Sequence, residues 1–125
     1  MAKILVIDDD TAHRRMVNFA LTRAMHEVVE AGDGIEGVRR FSVDQPDLVI
    51  CDIVMPEKEG IQTIVEIRAA SDRVRIIAIS GGGFDIGLNY LELAQKLGAN
   101  AILSKPFRPA DLVALVDRLL GEAGA

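Results

Sequence analysis

Four short runs, Ile4–Ile7, Leu48–Cys51, Ile76–Ile79 and Ala101–Leu103, are apolar without interruption and rich in Ile and Val. An alternating strand keeps one face in water, whereas a continuous apolar strand must be covered on both faces. That is the condition of a parallel sheet held between two layers of helices. A fifth, weaker strand is His26–Ala31, closed by the turn signal Gly32-Asp33-Gly34. Between the runs lie segments with helical spacing. Thr11 caps a helix reaching about Met25, with Met16, Phe19, Ala20 and Arg23 at i, i+3, i+4, i+7 and the apolar members toward the sheet. Ile35–Val43 forms a second helix, weakened by Gly37, and Gly60–Ala70 a third, with Ile61, Ile64, Val65 and Arg68 on one stripe. Leu88–Leu97, stopped by Gly98, is the fourth. Pro109 opens the fifth, whose Leu112, Leu115, Val116, Leu119 and Leu120 fall at core spacing.

The order is βα repeated five times, so the expectation is an α/β fold with right-handed crossovers and a single domain over residues 1–125. A Rossmann half and a flavodoxin-like sheet both fit this pattern. The first βα turn carries Asp8-Asp9-Asp10, however, where a dinucleotide site needs glycines, which argues against the former.

In open α/β sheets, ligands bind beyond the carboxyl ends of the strands. The polar residues that end or follow the runs are Asp8 and Asp9, Asp52, Ser80 and Lys105. Taken singly each has a plain reading. Charge runs are usually solvated turns, and Asp52 could simply end a strand. Converging on one edge, they read differently. Clustered carboxylates repel one another and are costly to desolvate unless a cation neutralises them, and hard oxygen ligands suit Mg²⁺. Lys105 offers a point charge and Ser80 a hydrogen bond to a phosphoryl oxygen, while a carboxylate can accept a phosphoryl group as an acyl phosphate. These parts describe metal-assisted phosphoryl transfer onto an aspartate. Asp10 reads as the solvated member that assists the first helix, His13 as a surface helical residue, His26 as the start of an exposed edge and Cys51 as a small core residue. Ser80-Gly81-Gly82-Gly83 lacks the G-K-[ST] ending of a nucleotide-binding loop.

A net charge of −5 speaks against a sequence-independent grip on nucleic acid. One cysteine, no apolar stretch near the ~20 residues of a membrane span and no signal-peptide core lead to an expected cytoplasmic location without membrane insertion.

The strings ILVIDDD at 4–10, LVICDIVMPEKEG at 48–60, IIAIS at 76–80 and ILSKPF at 102–107 together resemble the receiver domains of two-component response regulators. The resemblance implies a flavodoxin-like (βα)5 sheet of order 2-1-3-4-5. It implies Asp52 as phosphoacceptor, and Mg²⁺ held by Asp8, Asp9, Asp52 and the backbone carbonyl of Val54. Ser80 and Lys105 correspond to the family's hydroxyl and lysine partners of the phosphoryl group, and the Lys105–Pro106 bond to its cis peptide. The implied protein is not an ordinary enzyme. It is a stand-alone receiver that takes a phosphoryl group from a histidine kinase or a histidine phosphotransfer protein and signals through a partner protein or a phosphorelay. Many receivers carry an aromatic residue three positions before the lysine; here Ile102 stands there, so a switch built from Ser80, Ile102 and Pro106 must repack an aliphatic side chain. Val54 and Gly82 occupy positions that tune acyl-phosphate lifetime in the family, and the glycine-rich segment Gly81–Asn89 is expected to be mobile. Two alternatives are a haloacid-dehalogenase-like phosphatase using Asp8 as nucleophile, whose motif Ala12 breaks, and a receiver-fold binding module that is never phosphorylated.

Overall fold

The computed structural model describes residues 2–53, 59–80, 92 and 95–124. Five parallel strands, β1 (Lys3–Ile7), β2 (Glu27–Ala31), β3 (Leu48–Asp52), β4 (Arg75–Ser80) and β5 (Ala101–Ser104), form one sheet of order β2-β1-β3-β4-β5. Four helices are described: α1 (Thr11–Arg23), α2 (Gly34–Asp44), α3 (Glu59–Ala70) and α4 (Pro109–Gly124). This is the flavodoxin-like order, not the Rossmann one. The strongest apolar runs became the interior strands β1, β3 and β4, while the weaker runs became the edges β2 and β5, which need cover from fewer neighbours.

Each face of the sheet has its own core. On one, Leu5, Ile7, Val49, Cys51 and Ile76 pack under Val38 and Phe41 of α2 and Ile61, Ile64 and Ile67 of α3. On the other, Ile4, Val6, Ile50, Ile77 and Ile79 pack under Val17 and Leu21 of α1 and Leu112, Val116 and Leu119 of α4. Gly37, which weakens α2 on propensity alone, is buried against β1; a Cβ there would lie 3.0 Å from Ile7 Cγ1. The close approach of helix to strand favours that glycine, since a Cβ would force the Ile7 side chain to shift. No described helix is long and apolar enough to cross a membrane.

Several local expectations are corrected. The cap of α1 is Asp10, not Thr11: its carboxylate accepts the His13 backbone N–H at 3.2 Å, and that bond holds Asp10 below the usual carboxylate range. The buried stripe of α1 is Val17 and Leu21, whereas Phe19 is 63% exposed with the Arg23 guanidinium 5.6 Å from its ring centroid. Apolar residues at 16, 17, 20 and 21 permit two stripes, and the packing against β1 chooses between them. In α3, Ile67 takes the inward position, Val65 faces outward, and Arg68 leaves the stripe altogether. His26 does not begin an exposed edge. Its Nδ1 accepts the Ala2 N–H at 3.2 Å and its Nε2 lies 3.2 Å from Asp117 Oδ1 on α4, leaving the side chain 8% exposed. Gly98 ends a helical turn at residues 95–97 with φ +131°, as its expected capping role requires; the rest of that helix and the segment Gly81–Asn89, with Gly82, lie outside the described residues.

A charged network ties α1 to β2. Arg14 Nε and Asn18 Nδ2 donate to Glu30 at 2.7 and 2.6 Å. Burial alone would raise the Glu30 pKa; the bonds from Asn18 and Arg14, with Arg14's charge, outweigh it and hold the group below its usual value. A depressed carboxylate pKa stabilises the fold above the unfolded-state pKa, and the contribution vanishes as pH falls through the folded-state value. Glu30→Gln should therefore lose up to about 1 kcal/mol near neutrality, after allowance for solvent screening, with the gap closing in acid. Urea titrations of both proteins at neutral and acidic pH check this; a gap that stays constant with pH would refute it.

Candidate functional site at the carboxyl edge of the sheet

The register explains how distant residues meet. Ile7 pairs with Cys51, so Asp8 and Asp52 are the next residues on adjacent strands. Asp52 itself pairs with Ile79, and Ser80 with Ser104, whose neighbour Lys105 donates its backbone N–H to the Ser80 carbonyl at 2.8 Å. Side chains earlier in each strand are claimed by the two cores. A polar residue at the strand end lies beyond both, and the chain places its polar residues there.

The inner part of the site is buried. Asp8 and Asp52 are 2% and 4% exposed and Ser80 is fully buried, while Asp9 and Asp10 are exposed. Lys105 Nζ donates to Asp52 Oδ2 at 2.9 Å. The Lys105–Pro106 peptide is cis. Ile102 is half-buried in β5 against the core under α2 and α3. Val54 lies outside the described residues.

Asp8 is held from several directions. Its backbone N–H donates to Ala31 O at 3.1 Å, and its carbonyl accepts from Arg14 at 2.7 Å. Its Oδ1 accepts the Asp10 N–H at 2.9 Å, and its Oδ2 lies 2.7 Å from His13 Nδ1. His13 is thus not a surface residue. Its side chain is 15% exposed, and its ring meets Phe107 edge-on, with centroids 5.6 Å apart. His13, Arg14 and Phe107 escaped the sequence reading as parts of the site. The available signal was position: residues capped into the first turn of a helix that starts beside Asp8 must turn back over it.

Among the described residues, no three acidic, histidine or cysteine side chains converge into a ready-made metal cage. Mg²⁺ needs none, since it usually takes one or two carboxylates and keeps waters or phosphate oxygens. Among the described residues, two buried carboxylates on neighbouring strands and an exposed third beside them, set against the Lys105 ammonium, leave the edge rich in hard oxygen donors and negative charge. That donor set fits a small hard divalent cation, with Asp8, Asp9 and Asp52 as the side chains that would hold it.

A family model described as the response regulator receiver domain matches residues 4–117. The chain is 35% identical over 118 residues to the chemotaxis protein CheY of Thermotoga maritima, covering 94% of this chain and 96% of that protein. It is 36% identical to the probable transcriptional regulator ycf27 of Cyanophora paradoxa, covering 94% of this chain and 48% of that protein. The chain thus spans about half the length of several relatives it matches, among them that regulator at 48%. A CheY-like response regulator receiver domain protein from Methanospirillum hungatei superposes with a TM-score of 0.90 at 25% identity, covering 99% of this chain and 97% of that one.

Proposed function

Because the chain belongs to the response regulator receiver domain family, we propose that Asp52 accepts a phosphoryl group from a phosphohistidine of a histidine kinase or a histidine phosphotransfer protein. The observation that carries this reading is the buried Asp52 carboxylate with the Lys105 ammonium at 2.9 Å and a second buried carboxylate, Asp8, at the neighbouring strand end. An Asp52 oxygen attacks phosphorus to form the P–O bond. The P–N bond breaks, its electron pair returns to the donor imidazole, and that nitrogen is protonated from solvent. Lys105 neutralises charge on the phosphoryl oxygens, and the Ser80 hydroxyl donates a hydrogen bond to the product. Asp8, Asp9 and Asp52, with the carbonyl that the resemblance assigns to Val54, would hold Mg²⁺, which would supply further charge neutralisation at those oxygens.

Phosphorylation replaces the Asp52 carboxylate charge with a more highly charged phosphoryl group facing Lys105 and adds oxygens near Ser80, so it biases a two-state rearrangement of the Ser80, Ile102 and Pro106 region. The half-buried Ile102 is the side chain that repacks. The altered face then signals to a partner protein.

Intact-mass analysis after incubation with acetyl phosphate and Mg²⁺ tests the reading. The expected result is one added phosphoryl group on the wild type, lost on removing Mg²⁺ and absent from Asp52→Asn. A label that persists unchanged in Asp52→Asn would overturn it.

A further inference from the structure

We infer that His13 is a positioning residue for Asp8, setting the orientation of the carboxylate that helps hold the divalent cation. This inference rests on the Mg²⁺ site proposed above. Asp8 Oδ1 is anchored by the Asp10 backbone N–H at 2.9 Å, a bond that does not depend on side-chain identity. The other oxygen is oriented by a side chain, His13, whose Nδ1 lies 2.7 Å from Oδ2. An ionised carboxylate only accepts hydrogen bonds, so this geometry places a proton on Nδ1 and makes the imidazole the donor.

The imidazole is itself held on a second side. Its ring meets Phe107 at 85° with centroids 5.6 Å apart, and Phe107 follows Lys105 by two residues. One side chain thus bridges the acidic end of β1 and the segment that carries the lysine. Mg²⁺ tolerates little departure from octahedral geometry, so the orientation of an adjacent carboxylate governs affinity. Partners that orient ligands from outside the coordination shell typically contribute 10–100-fold to metal affinity.

Asparagine provides a clean test because its Nδ2 stands the same number of bonds from Cβ as histidine Nδ1, and so can donate at the same place. His13→Leu and His13→Met fill the space against Phe107 but donate nothing to Asp8. Isothermal titration with Mg²⁺ alone, on the full chain, should show about tenfold weaker binding for the Leu and Met variants and binding within about threefold of wild type for His13→Asn. Thermal unfolding without Mg²⁺ identifies which variants are folded and enter the comparison. Wild-type affinity in a folded Leu or Met variant overturns the inference, as does an Asn variant no better than they are. Acetyl-phosphate labelling of the same samples separates the two readings. Mg²⁺ binding by a wild type that takes no label on Asp52 refutes the phosphoacceptor reading and leaves the affinity comparison intact, whereas a wild type that binds no Mg²⁺ overturns this inference as well.

Discussion

Gly60→Ala is expected to destabilise the protein by about 3 kcal/mol and to impair labelling of Asp52 in the molecules that remain folded. Gly60 is buried in the first turn of α3, pressed against the end of β3. A Cβ at this position would lie 2.5 Å from Ile53 Cα and closer still to the Asp52 carbonyl oxygen. Backbone atoms of a central strand have no alternative rotamer, so α3 must move outward or the Asp52–Ile53 peptide must shift. The first response opens the core beneath Ile61 and Ile64; the second displaces Asp52, the proposed phosphoacceptor. Urea denaturation reads the first consequence, and the labelled fraction under conditions where the variant is folded reads the second. A variant with wild-type urea midpoint and wild-type labelling would show that the contact relaxes at no cost.

Arg68→Met should cost a similar amount, about 3 kcal/mol, but leave the site working. The guanidinium donates to the Gly98 carbonyl at 3.1 and 2.7 Å, to the Ser71 and Val74 carbonyls at 3.1 and 2.7 Å, and to Asn100 Oδ1 at 2.8 Å. One side chain therefore satisfies the end of α3, the approach to β4 and the turn into β5. Asn100 Oδ1 also accepts the Ile76 N–H at 2.8 Å, which connects the network to the interior strand. Methionine keeps most of the apolar stem under Gly98 and removes every donor. Each carbonyl left without a partner costs about 1–3 kcal/mol when buried, and less here because the region is half-exposed and water replaces part of the loss. A lowered urea midpoint with unchanged Asp52 labelling is the expected pair of results. Unchanged stability would mean that water replaces the guanidinium fully. The contrast with Gly60→Ala matters: both variants lose stability, but of the two only the glycine lies against the Asp52 backbone.

The two substitutions also mark the limit of what a linear reading could see. Gly60 began a helix on paper, and Arg68 was placed on that helix's apolar stripe. Their importance comes from atoms of Ile53 and Gly98, brought near by folding. His13 followed the same course. As a lone histidine after an acidic run it read as a surface residue; only the turn of α1 back over β1 sets its Nδ1 beside Asp8. The stripe of α1 was ambiguous because residues 16, 17, 20 and 21 are all apolar, so local periodicity allowed either face.

What the sequence by itself determined is the βα alternation, the location of the strands and the gathering of Asp8, Asp52, Ser80 and Lys105 at strand ends. These are legible because strand burial and the first polar residue beyond it are local patterns, read over a few residues. The tertiary structure decided the inward faces of α1 and α3 and the contacts of His13, Gly60 and Arg68. Those depend on which strands neighbour one another and on how closely helices settle against them. Packing between distant segments sets both, and no window of sequence contains it.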